Sequence, residues 1–226
     1  MRAGCLLFFF ICLCSVAASG QSILFKTVFG SEPVRWNHQE YRSSNGEKIR
    51  FSDFSFYLSE FSWYQGSEKA IHEHQRVELL RADAEKDSMR ISGPLKSDRI
   101  CFRFGLDSAT QVSGRTDGAL DPALGMYWAW NTGYIQCRLE GYSPESKGKK
   151  GKFEFHLGGY ATPYSTSFKM CIDLSSGAEN PVIQVNLKPL MDAVPLNKKW
   201  SVLTPGAEAW ELSRLIGNSF QSAAVK

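Results

Sequence analysis

The run EKIRFSDFSFYLSEFSWY, residues 47–64, constrains the fold more than any other part of the sequence. Phe54, Phe56 and Leu58 recur at every second position, which places them on one face of an extended strand. Aromatic residues at this spacing fit a pleated, half-buried surface. The run therefore predicts a long strand with one face in a hydrophobic core.

Further strand-forming runs follow one another along most of the chain, with Gly, Pro, Asn and Asp in the turns between them. An Asn-Gly turn signal in SSNG precedes the long run. The other runs are SILFKTVFG, VRWNHQEYR, RVELLRAD, RICFRFGL, YWAWNTGYIQCRLEGY, GKFEFHLGGY, FKMCIDL and PVIQVNLKPL.

Two segments depart from this pattern. Residues 107–125 are polar and Gly-rich, which predicts a long loop, and the spacing of their aspartates does not match a calcium-binding loop. Near the end, TPGAEAWELSRLIGNSF predicts a helix with Thr204 as N-cap and Pro205 in its first turn. Its core-facing residues at helical spacing are Ala209, Leu212, Ile216 and Phe220.

These patterns predict an all-β fold, an antiparallel β-sandwich-like domain with a long polar loop and a C-terminal helix. Residues 1–20 differ in kind: Arg2 precedes an apolar run and then small residues, as in a secretory signal peptide. The apolar run is too short to span a bilayer. We therefore expect one domain over residues 21–226, exported to the periplasm or secreted, with no membrane span.

Charge and cysteine content narrow the partners and the compartment. The formal net charge of +3 falls to +2 without Arg2, which gives no general attraction to nucleic acid or membranes. Outside the signal segment the chain keeps Cys101, Cys137 and Cys171. An oxidising compartment permits one disulfide and leaves one thiol, and the spacing does not say which two pair.

The sequence carries no Gly-rich phosphate loop, no GxSxG turn and no HExxH motif, so we expect no enzymatic activity. The histidines are the candidate ligands, because imidazole suits copper and zinc. In a strand, Trp36 and His38 would share a face, whereas His156 would point away from the phenylalanines of FEFHLGG. The pair His72 and His74 reads more simply as the polar edge of a strand than as a metal site. An intact indole offers a cation only its π face.

The segment DPALGMYWAWNTGYIQCRLEGY, residues 121–142, adds a resemblance. Together with FSFYLSEFSW before it and FEFHLGG after it, this segment strongly resembles the MbnP-like family of exported copper-binding proteins, which is related to MopE and CorA. The three blocks occur in the family's order, and the resemblance covers residues 21–226.

The resemblance implies a β-sandwich that binds a copper ion. In copper-binding members, a di-haem partner of the MbnH type, related to cytochrome c peroxidases, oxidises the tryptophan of W-x-H to kynurenine. Carried over, the copper ligands would be modified Trp36, His38 and the distant His156. The resemblance says nothing of His72 and His74. The alternative function is a non-metal β-sandwich module that binds a glycan or a protein partner.

Overall fold

The computed structural model describes residues 21–66, 68–94, 96–130, 133–174 and 180–223, with only the backbone described at 68–70. The predicted signal peptide, residues 1–20, lies outside the described residues. Within the described ranges, no helix is long and apolar enough to cross a membrane.

The described residues form fourteen strands and three α-helices. The strands are β1 (Gln21–Phe29), β2 (Glu32–Pro33), β3 (Tyr41–Arg42), β4 (Lys48–Gln65), β5 (Glu68–Asp83), β6 (Ser88–Gly93), β7 (Arg99–Phe104), β8 (Tyr127–Trp128), β9 (Gly133–Tyr142), β10 (Lys152–Gly158), β11 (Phe168–Asp173), β12 (Val182–Asn186), β13 (Ser201–Val202) and β14 (Phe220–Ser222). The helices are α1 (Ser108–Val112), α2 (Lys188–Ala193) and α3 (Ala207–Gly217).

The strands make two sheets that pack as a sandwich. The smaller sheet has the order β14-β12-β1-β2, with β6 also paired to β1. The larger sheet has the order β11-β7-β4-β9-β10-β13, with β3 and β5 on β4 and β8 on β9. The all-β prediction is confirmed, but the sheets are mixed, because β1 pairs with β12 and β10 with β13 in parallel.

Aromatic rings fill the space between the sheets, as the alternation in β4 predicted. Phe54, Phe56 and Leu58 are fully buried. From the smaller sheet, Phe25 reaches the ring of Phe56 with centroids 6.4 Å apart, and Phe220 reaches the same ring at 5.5 Å. These edge-on contacts are the arrangement that aromatic quadrupoles favour.

The C-terminal helix is confirmed, with different ends. Helix α3 begins after Gly206, so Thr204 and Pro205 lie before it and cap nothing. Gly206, within the predicted first turn, has a backbone φ of 149°. This conformation is unfavourable for a residue that carries a side chain. Phe220 is not helical, because the chain turns after Asn218 and places Phe220 in β14. There its ring packs in the core, which outweighs one more helical turn.

The predicted long loop holds short helical segments instead of remaining irregular. Asp107 caps α1 by accepting a hydrogen bond from the Thr110 amide, and Asp121 caps a short 3₁₀ turn. Asp117 pairs with Arg115. Each aspartate of this loop therefore has a local structural partner.

A disulfide joins Cys101 of β7 to Cys171 of β11, which settles the pairing that the sequence left open. The two residues are direct cross-strand partners. Cys137 is a buried free cysteine in β9. Burial in apolar surroundings raises the pKa of its thiol well above the usual value.

Thiol counting tests this arrangement. Because only thiolates react rapidly, folded protein should show no reactive thiol toward a disulfide dye. Denatured protein spanning residues 21–226 should show one thiol without reductant, from Cys137, and three after reduction. Three thiols in the unreduced, denatured protein would contradict the disulfide. Cys137→Ala should remove the single unreduced thiol and serves as the control.

Candidate metal centre

Trp36 and His38 lie in a turn, not on the strand that the sequence predicted. The turn spans residues 36–38, and Asn37 at its centre has a φ of 61°, which β-strands do not adopt. The amide of Asn37 donates a 2.7 Å hydrogen bond to the Phe51 carbonyl of β4, which anchors the turn to the larger sheet. The expectation that Trp36 and His38 share a strand face is therefore wrong.

The Trp36 side chain points into the core. It is 2% exposed, and its ring lies edge-on to that of Phe51 at 6.2 Å. Among the described residues, no group accepts a hydrogen bond from the buried Trp36 Nε1. A buried polar group without a partner costs roughly 1–3 kcal/mol, so this indole nitrogen stands out in the core.

The turn nevertheless brings Trp36 and His38 to one groove. His38 is exposed, and both residues line a cavity of about 640 Å³. Asp83 at the end of β5 and Asp87 in the β5–β6 connection also line this cavity. The lining therefore includes one imidazole and two carboxylates, together with the cationic side chains of Lys26, Arg35 and Arg90.

His156 lies on the other face of the larger sheet. Along β10 buried and partly exposed residues alternate, and His156 belongs to the outer set, as its parity predicted. Its Nε2 is 2.7 Å from Glu140 Oε1 on β9. Lys152 Nζ lies 2.9 Å from Glu140 and 2.7 Å from Glu154. Hydrogen bonds from His156 and Lys152 lower the pKa of Glu140 to about 2, against the opposing effect of its burial.

This outer cluster is the group of side chains whose geometry could hold an ion most directly. Ligand atoms of Glu140, Glu154 and His156 all lie within 4.8 Å of one another. The ammonium of Lys152 already forms ion pairs with both carboxylates. An added metal ion would therefore have to displace the ammonium of Lys152 from these carboxylates.

The sheet register keeps the predicted ligands apart. Phe51, which anchors the turn, is opposite Gly141, and Gly141 is opposite Phe153, three residues from His156. Two strand spacings and three residues separate Phe51 from His156 by about 14 Å. Trp36 packs on the inner face and His156 on the outer. Trp36 and His156 thus lie on opposite faces, while His38 lines both the groove with Trp36 and a second cavity with Arg50 and Tyr142. The three-ligand set stays a prediction.

The chemistry of the donors fits copper only in part. His38 offers an imidazole, which copper accepts readily, whereas the Trp36 indole as it stands offers no lone pair. Ring opening to kynurenine would supply an aryl amine and a ketone at the groove edge. The aspartates of the groove prefer harder ions.

Sequence reasoning missed Glu140 and Glu154 as neighbours of His156. Both residues have strand parity that places them on the outer face, but only the β9–β10 register, which pairs Glu140 with Glu154, puts them side by side. It also missed the contact between its two most distinctive motifs. A Cβ on Gly158 would lie 2.5 Å from the ring of Trp128, so HLGG needs glycine where YWAW packs. Trp130, beside this contact in sequence, is 63% exposed.

The fold and the groove define a two-sheet β-sandwich with a tryptophan–histidine turn at one end. A family model, MbnP, matches residues 19–206, so the chain belongs to the MbnP family. The solved structure of MbnP from Methylosinus trichosporium is similar, with 15% sequence identity, a TM-score of 0.56, and coverage of 77% of this chain and 78% of that one. At that identity the likeness concerns the fold. No curated protein matches in sequence.

Paired tryptophan substitutions test the unpartnered nitrogen. Trp63 is as buried as Trp36, but its Nε1 donates a 2.8 Å hydrogen bond to Glu73. Trp→Phe at either site removes similar apolar volume, and only Trp63→Phe breaks a hydrogen bond to a carboxylate, worth about 1.5–3 kcal/mol. We expect Trp36→Phe to lower the free energy of unfolding by less than Trp63→Phe does. Equal losses in urea titration would show that Trp36 Nε1 has a partner.

Proposed function

We propose that this protein is an exported copper-binding protein of the MbnP family that captures or handles copper and is not an enzyme. The buried, unpartnered Trp36 Nε1 at the groove shared with His38 carries the proposal. Family membership and the predicted signal peptide support it. The periplasm, or release from the cell, is the proposed location.

Oxidation of Trp36 to kynurenine is the step that would make the groove a copper site. Cleavage of the indole C2–C3 bond with two added oxygen atoms gives N-formylkynurenine, and hydrolysis then releases formate. An MbnH-type di-haem partner, using peroxide as oxidant and reducing it to water, is the proposed catalyst. Opening the ring turns the unpartnered indole nitrogen into a primary aryl amine, whose lone pair is then available to copper.

In this proposal each residue of the chain has a separate task. Modified Trp36 supplies an aryl amine and a ketone, while His38 supplies an imidazole from the same turn. The hydrogen bond from Asn37 to Phe51 holds these two positions at the groove. Copper bound there would be held for transfer or storage. His156 is the third ligand implied by the resemblance, and its place on the outer face makes it the member most in need of a direct test.

Mass spectrometry and copper content test this function together. The protein is produced with its di-haem partner, dialysed against a chelator, and analysed for retained copper and for the Trp36 peptide. We expect the kynurenine mass at Trp36 in wild type, and neither modification at that position nor retained copper in Trp36→Phe. His38→Ala should keep the modification but bind copper at least about 10-fold more weakly, since even an outer partner of a ligand contributes 10–100-fold.

The remaining arms separate the two histidines. His156→Ala should weaken copper binding if His156 completes the site, and wild-type affinity would remove it from the ligand set while leaving the groove assignment intact. His72→Ala is the control and should keep the copper that resists the chelator, as wild type does. An unmodified Trp36 peptide, or wild-type copper retention in both Trp36→Phe and His38→Ala, would overturn the proposed function.

A second candidate is the non-metal module, and one surface favours it. A pocket of about 360 Å³ is lined by aromatic and small polar residues without a charged side chain. Tyr160 and Tyr164 on its wall are 42% and 45% exposed, and the ring of Trp130 lies 5.3 Å from that of Trp128, tilted by 41°. Such surfaces suit a neutral sugar ring. Binding on a glycan array that Tyr160→Ala abolishes would support this candidate, and an array without binding would exclude it.

A further inference from the structure

His72 and His74 project from the same face of β5 and lie against each other. Their rings are nearly parallel, with an interplanar angle of 13° and centroids 4.9 Å apart. Both side chains are exposed. Two imidazoles at positions i and i+2 of a strand therefore face solvent side by side, with no apolar layer over them.

Ser62 orients one ring of this pair, and no described carboxylate is bonded to either ring. Ser62 Oγ on β4 lies 3.0 Å from His72 Nδ1. In the tautomer that donates Nδ1–H to Ser62, His72 Nε2 carries a free lone pair. Among the side chains that the structure describes, no carboxylate is bonded to either ring. Glu73, between them in sequence, bonds instead to Trp63 and Arg76.

The surroundings of His72 and His74 differ from those of His156, a partly exposed histidine on β10. His156 is bonded to Glu140, and Lys152 supplies a positive charge beside it. Among the described side chains His72 and His74 have no such ion pair, so an arriving cation displaces none of these groups. A metal-binding histidine usually donates its other ring N–H to an oxygen acceptor, which fixes the ring orientation. Ser62 Oγ can serve as that acceptor for His72.

We propose that His72 and His74 form a surface site for a divalent transition-metal ion, with Cu(II) preferred. Imidazole suits Cu, Ni and Zn, and Cu(II) binds most tightly in that series. Metal–nitrogen bonds near 2 Å require the two donor atoms to approach within about 4 Å, which modest rotation of rings already 4.9 Å apart allows. Water or a small anion completes the coordination, so the site is open and exchangeable.

This site is independent of the groove that holds Trp36 and His38. Ser62 and Phe51 both belong to β4, eleven residues apart in sequence. At about 3.3 Å per residue the two places lie up to roughly 36 Å apart, and even with the strand shortened by the irregularity at Glu60 they are beyond any shared ligand. The same chain would then carry two copper sites of different kinds, and the surface site would not need modified Trp36.

Titration with Cu(II) of protein made without any haem partner tests the site, since Trp36 then stays unmodified. Calorimetry gives the stoichiometry, and electron paramagnetic resonance reports nitrogen ligands. We expect His72→Gln/His74→Gln to lose one bound equivalent together with the two-nitrogen signal. Ser62→Ala should weaken this binding by roughly 10-fold, because it removes the partner that orients His72. Gln75→Ala, an exposed neighbour on β5, is the matched control and should bind like wild type.

The outcomes separate this site from the proposed function. Unchanged stoichiometry and affinity in the His72/His74 double variant would overturn the surface site, as would loss of the two-nitrogen signal in His38→Ala. Neither result bears on the kynurenine mass or on the chelator-resistant copper of partner-treated protein. Conversely, failure of the groove assignment would leave the Cu(II) equivalent at His72 and His74 unaffected.

Discussion

The packing of Phe51 links the candidate groove to the rest of the molecule. Its ring is fully buried and lies within 6.2 Å of the rings of Phe29, Trp36 and Tyr41, and at the same distance from Phe153. Its carbonyl accepts the hydrogen bond from the Asn37 amide. One residue of β4 therefore joins both sheets and fixes the turn that presents His38. Any rearrangement that brought Trp36 to the outer face would first have to open this aromatic cluster.

The sequence predicted the elements whose pattern is local and periodic. In β4, alternation alone placed Phe54, Phe56 and Leu58 in the core, and helical spacing found α3. It failed where a distant contact decides the conformation. Residues 36–38 read as a strand by composition, but the left-handed conformation of Asn37 and its bond to Phe51 make a turn. The parallel pairing of β1 with β12 joins segments about 160 residues apart, and no local signal records it.

Sequence reasoning could identify the candidate site residues but not their arrangement in space. Trp36, His38 and His156 were selected by resemblance. Only the structure shows that the first two line one groove, and that His156 is bonded to Glu140 on the face of the sheet opposite Trp36. The same register explains why HLGG and YWAW occur together. Strand β10 ends in Gly158 because the ring of Trp128 occupies the space that a side chain would fill. The two motifs therefore reflect one packing contact within the sheet, and this contact accounts for them without a ligand.

Strand β1 lies in the middle of the smaller sheet, with β6 on one side and β12 on the other. During synthesis β1 emerges early, whereas β12 and β14 are among the last segments made. This sheet cannot close until nearly the whole chain is available, and such non-local pairing slows folding. Strand β1 can pair with β6 once residue 93 has been made, but its other edge stays open until β12 is available. For most of synthesis β1 therefore presents an unpaired strand edge, the kind of surface on which other extended chains can pair.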